Sequence, residues 1–372
     1  MRVLANDFSR LWLDCGQDYI DAVSKVGSSG WYILGSQVNR FETSLAARCG
    51  NAFTVGCANG MDALEIALRL IDVGPGDKVL TTPLSAFATG LAILRVGAEP
   101  VYCDVDEHGA LDPTAAKAAF DQVPGISAII PVHLFGHMIN IVALSALAKD
   151  YNIPVIEDAA QAIGATRDGV GVGAEGRMAC YSFYPTKNLG VIGDGGALAL
   201  GDSTAAEEAR ALRNYGQTEK YVHNIVGLNS RLDELHAATL EQVFLPKLDG
   251  WLNRRREIAK TYLDGITNPH VTRLTGPDPS GSGWHLFPVL VAQNRRDDFL
   301  SHMQLNEVQM GLHYPILIPH QKAMTERGTP IVVGSLQNAE QFARQEASLP
   351  INPYLTDAEV DHVITSVNSW TG

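Results

Sequence analysis

Between about residue 52 and residue 200 the chain alternates short β-branched or apolar runs with longer segments of helical period, the pattern of strands joined by crossover helices. That pattern restricts the fold to an α/β protein with a largely parallel sheet, because parallel neighbours need a long connection to return to the same edge. From Gly60 to Leu70 the spacing of Leu64, Ala67 and Leu68, with Ile71 just beyond, is helical; Gly74-Pro75-Gly76-Asp77 stops the helix, and Lys78 to Thr82 reads as a strand. The same reading predicts a helix over Ala86 to Val96, a strand over Pro100 to Cys103, a helix from Asp112 to about Val123 and a strand over Ala128 to Val132. One further helix precedes a buried strand at Pro154 to Glu157.

At ~100–200 residues per domain, a chain of this length makes roughly two domains. The sequence turns more polar after about residue 245, where WLNRRREIAKTYL reads as a long amphipathic helix with a basic face, so the predicted division is 1–245 and 246–372. The second part has Gly- and Pro-rich turns at Gly276 to Gly283, a strand-like LFPVLVA at 286–292 and a closing helix from about Asp357. The first ~50 residues, with the helix-like GSQVNRFETSLAARCG, are expected to pack on one of the two domains.

A formal charge of −13 argues against holding a polyanion by general electrostatics, so any phosphate site must be local and nucleic acid is not an expected partner. Five cysteines (Cys15, Cys49, Cys57, Cys103, Cys180) at irregular spacing, without a C-x-x-C pair, suggest neither a disulfide framework nor a zinc site, and no metal is expected. The N-terminus lacks a basic region followed by an apolar core, and no stretch approaches the ~18–20 apolar residues that span a bilayer. The expectation is a cytoplasmic protein without a membrane partner.

GVGAEG at 171–176 matches G-x-G-x-x-G, but a dinucleotide site needs a strand before it and a helix after it. Here the turn-like TRDG precedes it and the strand-like RMACYSFY follows, so a glycine-rich hairpin is the better reading than a nicotinamide or flavin site.

Three other pieces make chemical sense together: NGMDAL at 59–64, VIEDAAQAIGA at 155–165 and SFYPTKNLGVIGDGG at 182–196. Singly they read as a turn entering a helix, a strand with a polar end and a loop with a lysine. Pyridoxal phosphate makes three demands that they meet: a lysine for the Schiff base, an acid to keep the pyridine nitrogen protonated, and donors for the phosphate. Lys187 lies in a turn with Pro185, Asn188 and Gly190, and Asp158 sits where an apolar strand ends, the place where open α/β sheets bind ligands. Gly60 and Met61 open a helix whose free amides suit a phosphate, and Ser182 adds a hydroxyl. Gln161 is a candidate for the cofactor's ring oxygen, and Phe87, just beyond the strand ending at Thr82, for stacking on its ring.

The chain resembles the DegT/DnrJ/EryC1/StrS aminotransferases, which build amino sugars on nucleotide carriers. The likeness runs nearly end to end: GWYILGSQVNRFE at 30–42, CANGMDALEIAL at 57–68, PVYCDVD at 100–106, PVHLFGH at 131–137, EDAAQAIGA at 157–165, SFYPTKNLG at 182–190, GLNSRLDELHAATL at 227–240 and HYPILIPHQ at 313–321 follow in order. The resemblance implies aminotransferase fold type I, with a large domain built on a mostly parallel seven-stranded sheet flanked by helices, and a smaller C-terminal α/β domain. It gives Lys187 the Schiff-base role, Asp158 and Gln161 the ring nitrogen and ring oxygen, Phe87 the stacking position, and Gly60, Met61 and Ser182 the phosphate. Asn229 matches an asparagine that serves the neighbouring subunit's phosphate, which implies a homodimer with shared active sites. Two departures stand out: Met61 replaces the usual threonine, and Ile163 occupies a position where histidine often sits, a change expected to alter the pocket.

By the same resemblance, L-glutamate displaces Lys187, whose freed amine then shuttles the proton; the pyridoxamine phosphate form aminates a nucleotide-linked keto sugar. The presence of Lys187 disfavours the branch that uses histidine there to dehydrate sugars. KNLGVIGDGGA resembles the subgroup acting at carbon 3, which favours a dTDP-3-keto-6-deoxyhexose over a carbon-4 keto sugar. A UDP-3-keto-hexuronic acid is the near alternative, but VHNIVGL at 222–228 offers no arginine or lysine for its carboxylate. Tyr32, Tyr184, His313, Tyr314 and His320 are the candidate sugar contacts. A non-catalytic sensor is the reading from a different class.

Overall fold

The computed structural model describes residues 1–174, 178–292 and 294–372. Seven strands form the central sheet: β1 (Phe53–Cys57), β2 (Lys78–Thr81), β3 (Glu99–Cys103), β4 (Ile126–Ile130), β5 (Ile156–Asp158), β6 (Met178–Ser182) and β7 (Gly196–Leu200). β7 lies antiparallel between β1 and β6, whereas β6 and β5, β4 and β2, and β2 and β3 pair in parallel. Two parallel bridges, Ile129 with Val155 and Val132 with Asp158, join β4 to β5. The spatial order is therefore β1-β7-β6-β5-β4-β2-β3, mostly parallel, as expected.

Alternation along each strand explains why helices cover both faces. Leu80, Ile129, Ala197 and Ala199 point into one core, and Val79, Ala128, Ile130, Leu198 and Leu200 into another on the opposite side. The helices Phe8–Ser29, Ser36–Cys49, Pro113–Gln122 and Ile141–Asp150 pack in the first core; Gly60–Arg69, Phe87–Arg95 and Ser203–Leu212 pack in the second.

The C-terminal part builds an antiparallel sheet of Val271–Arg273, Phe287–Val291 and Glu346–Leu349 beside the helices Leu248–Gly265 and Asp357–Ser369. Its core includes Val289, Phe299, Val363 and Trp370. One segment of it returns to the central sheet: β8 (Ile331–Val333) extends that sheet in parallel beyond β3. Three apolar residues after a Thr-Pro turn carry too little period to mark a strand, so sequence reading passed over it. The N-terminal residues also depart from expectation, since they pack on both parts. Cys15 and Ala22 enter the first large core, while Val3 joins the C-terminal core and Arg10 makes a two-pronged ion pair with Glu359.

A buried pair ties the second helix to the sheet. Glu42 Oε1 accepts from Arg213 Nη1 at 2.5 Å and from the Gly56 amide at 2.9 Å, and Arg213 Nη1 also reaches the Gly56 carbonyl at 2.6 Å. Glu42→Ala leaves a buried guanidinium without its counter-charge, an expected loss of about 3–5 kcal/mol measurable by urea denaturation.

Candidate active site

The carboxyl ends of β5 and β6 and the start of helix Gly60–Arg69 meet at one edge of the sheet. They surround a pocket of about 260 Å³ that opens to solvent. Gly60, Met61, Asp158, Gln161, Ser182 and Lys187 all line it.

The helix start comes so close to the strands because glycines allow it. A Cβ on Gly60 would lie 2.7 Å from Ser182 Cβ, and one on Gly196 would lie 2.3 Å from the Asn59 carbonyl carbon. Asn59 caps the helix by accepting from the Asp62 amide at 2.8 Å. The amides of Gly60 and Met61, one turn too early for an intrahelical partner, are left for a ligand. Ser182 Oγ accepts from the Tyr184 amide at 3.3 Å, which leaves its own proton to donate.

Asp158, the last residue of β5, is buried and held from two sides: Thr89 Oγ1 donates to Oδ2 at 2.9 Å and the Ala160 amide to Oδ1 at 3.1 Å. Burial pushes its pKa up, while those hydrogen bonds and the nearby Lys187 pull the other way. Lys187 follows β6 in a turn closed by its amide on the Tyr184 carbonyl at 2.8 Å. Gly190 is required there, since a Cβ would lie 2.6 Å from the Pro185 carbonyl oxygen. Burial lowers the Lys187 ammonium to about 8, with Asp158 opposing the shift. Gln161 is fixed at both ends of its amide, accepting from the Phe135 amide at 2.6 Å and donating to Tyr314 Oη at 3.2 Å.

The other predicted residues are placed differently. Phe87 packs against Tyr102, Ile318 and Met324, and Ala86 and Ala88 line the pocket in its neighbourhood. Ile163 is buried in the first large core and does not line the pocket, so the expected change in the pocket does not come from its side chain. Tyr184 is exposed at the pocket, and His313 lies close enough to Lys187 for its charge, with burial, to hold the imidazole down to about 4. Tyr32 and Asn229 are exposed away from the pocket lining; Tyr32 Oη donates to the Gly27 carbonyl at 3.2 Å and Asn229 bridges to Asn214. His320 is exposed at the end of a short turn, Ile318–His320. Sequence reading missed Thr89 and Ser85, 3.0 Å apart behind Asp158; their spacing of four residues was the available signal.

Of the glycine-rich stretch, Glu175 and Gly176 lie outside the described residues. The preceding residues form a hairpin, Thr166–Arg167 with Val170–Gly171, and the next described element is β6 rather than a helix. Among the described residues there is no His, Cys, Asp or Glu group suited to a metal ion, and no helix long and apolar enough to cross a membrane.

A parallel sheet with a lysine and a buried aspartate at its carboxyl edge, facing a glycine-opened helix start, has the arrangement of aminotransferase fold type I, and the solved structures similar to this chain include aminotransferases. The chain belongs to the DegT/DnrJ/EryC1/StrS aminotransferase family, whose model matches residues 14–368. It is 42% identical over 352 residues to the dTDP-3-amino-3,4,6-trideoxy-alpha-D-glucose transaminase of Streptomyces venezuelae, covering 94% of this chain and 91% of that protein. It is 41% identical to the erythromycin biosynthesis sensory transduction protein EryC1 of Saccharopolyspora erythraea, covering 98% of each. The crystal structure of DesV from S. venezuelae superposes with a TM-score of 0.93 at 40% identity, covering 99% of this chain and 98% of that one.

Proposed function

We propose that this aminotransferase uses pyridoxal phosphate to move the amino group of L-glutamate to carbon 3 of a dTDP-3-keto-6-deoxyhexose. The observation that carries the reading is the pairing of Lys187, its ammonium lowered to about 8, with buried Asp158 in one pocket. The product named for the S. venezuelae relative supports a dTDP-linked deoxy sugar and amination at carbon 3; that product also lacks the 4-hydroxyl of the sugar proposed here.

The pocket fits the cofactor, since Gly60, with no side chain to clash with Ser182, brings two free helix-start amides and a hydroxyl together for a phosphate. In this reading Gly60, Met61 and Ser182 hold that phosphate, Asp158 faces the ring nitrogen, Gln161 the ring oxygen, and Lys187 carries the covalent link. The bound cofactor supplies an electron sink for the carbanion formed when the substrate carbon loses its proton. Burial raises the Asp158 pKa, and the hydrogen bonds from Thr89 and the Ala160 amide oppose that shift and favour its negative charge toward that sink. Lys187, freed by the amino donor, takes the proton and returns it, and a pKa near 8 suits both directions close to neutrality.

The functional unit in this reading is a homodimer. Trp12, Leu13 and Trp31 are exposed, Leu13 at 85%, and an apolar hollow formed by Phe8, Leu11, Trp12, Val191 and Ile192 lies beside the Lys187 turn. A second copy covering this face brings its Asn229 to the pocket's phosphate end. Light scattering is expected to return twice the chain mass of 40.1 kDa.

The purified protein is expected to show a visible absorption band that bleaches on adding glutamate. A panel of nucleotide keto sugars generated in situ is then scored by mass and regiochemistry of the amino product. Amination at carbon 4, or only of a hexuronic acid, overturns the substrate assignment; cofactor binding without any amino transfer favours a sensor, the role in the EryC1 relative's name.

A further inference from the structure

Strand Glu346–Leu349 buries two polar side chains, Glu346 and Ser348, against the loop that carries His313. Glu346 Oε2 accepts the His313 amide at 2.6 Å, and Oε1 accepts the Ser348 hydroxyl at 2.5 Å. Ser348 Oγ lies 2.9 Å from His313 Nδ1. A hydroxyl has only one proton to give. While Glu346 is ionised, that proton goes to the carboxylate, so the remaining contact requires a proton on Nδ1 and leaves a lone pair on Nε2 of the neutral imidazole. When Glu346 is protonated, Oε2 still accepts the amide, so the acid proton sits on Oε1 and is donated to Ser348. The serine proton then turns to Nδ1, and the imidazole carries its own on Nε2.

The two states differ by one proton, and the passage between them balances. Nε2 takes up a proton, Nδ1 gives its proton to Ser348 Oγ, and Ser348 gives its own to Glu346 Oε1. The geometry points to a proton relay, Glu346–Ser348–His313, in which Glu346 sets which nitrogen of His313 is free and stores the proton that His313 takes up beside the Lys187 pocket. Glu346 and Ser348 are positioning residues that act through His313. The relay adjoins the site through Tyr314, whose hydroxyl accepts from Gln161. Its part in catalysis rests on the transaminase reading; the proton positions do not.

The surroundings keep both states within reach. Burial raises the Glu346 carboxyl to about 8, opposed by the two hydrogen bonds it accepts and by Arg296. Arg296 is the charge presented by helix Arg296–Leu305, and strand Phe287–Val291 has no ionisable side chain. On helix Gln337–Gln345, Arg344 and Glu340 pair with each other at the surface. From the loop side, His313 and Tyr314 face Glu346, while Lys187 and His285 face His313. Burial and Lys187 keep the imidazole itself neutral, so the relay changes the position of its proton rather than its charge.

Ring ¹⁵N shifts of histidine-labelled holoenzyme, with His313 assigned through His313→Gln, read the tautomer directly. The proton on His313 is expected to move from Nε2 to Nδ1 as pH rises through about 8. In Glu346→Gln the amide oxygen accepts the His313 amide and its nitrogen donates to Ser348, so the Nε2–H form is expected at every pH. Ser348→Ala cuts the link and is expected to abolish the switch; it also serves if Glu346→Gln does not fold. A tautomer that stays the same across this range in the parent protein, or that switches unchanged in both variants, overturns the relay. A switch retained in a protein that transfers no amino group supports the relay and counts against the transaminase reading alone.

Discussion

Lys187→Ala is expected to lose turnover by on the order of 10⁴-fold or more, because in the proposed reading one side chain supplies both the covalent link and the proton shuttle. The visible band of the lysine-bound cofactor is expected to disappear from the variant. The fold is expected to survive, since the turn is closed by the Lys187 amide and by Gly190, neither of which the substitution removes. Stopped-flow absorbance with glutamate, followed by mass spectrometry of the sugar product, checks this. Transamination persisting near the parent rate would place the covalent link and the proton shuttle elsewhere.

Asp158→Asn is the second large effect, and it tests the proposed electron sink while leaving the Lys187 side chain in place. The amide occupies the same volume, and the Thr89 hydroxyl turns to accept from it, so stability is expected to change little. In the proposed reading Asp158 faces the ring nitrogen, so removing its negative charge is expected to lower kcat by on the order of 10²–10³-fold, the scale of losing one preorganised electrostatic contact. A second consequence has a definite sign. Asp158 raises the Lys187 pKa against the effect of burial, so without it the ammonium falls further below about 8. The lysine of the cofactor-free protein, titrated by its rate of acylation against pH, is expected to ionise at lower pH in the variant. An unchanged profile would mean that the two side chains do not interact.

Much of this site was legible in the sequence because its parts sit at ends of elements, where residue type and position carry meaning. A glycine opening a helix, an aspartate closing an apolar strand and a lysine in a Pro- and Gly-bounded turn each announce backbone geometry, and the strand and helix periods place them on one edge. Phe87 shows the limit. It opens the helix Phe87–Arg95, and its contact with the cluster of Tyr102, Ile318 and Met324 joins residues far apart in sequence that no local pattern marks. Glu346 and Ser348 were illegible for a related reason: their contacts with His313 join residues 33 and 35 apart, and although its four-residue spacing from Ser85 marked Thr89, no local pattern encodes its meeting with Asp158, 69 residues away. The expected division at 245 does not anticipate β8, a strand from beyond it that joins the central sheet and whose three residues gain their meaning from an edge built far earlier in the chain.

That edge bears on how the protein is made. β3 emerges from the ribosome early, yet its outer row of amides and carbonyls is capped only when Ile331–Val333 has been synthesised. Until then the nascent chain presents an open strand beside Tyr102 and Val101, the kind of surface on which chains join edge to edge. Release of a truncated product lacking the last segment therefore leaves a sticky sheet rather than a merely inactive one. Chains truncated before Ile331 are expected to aggregate more than the full-length protein, a difference measurable by sedimentation of the two after synthesis in vitro.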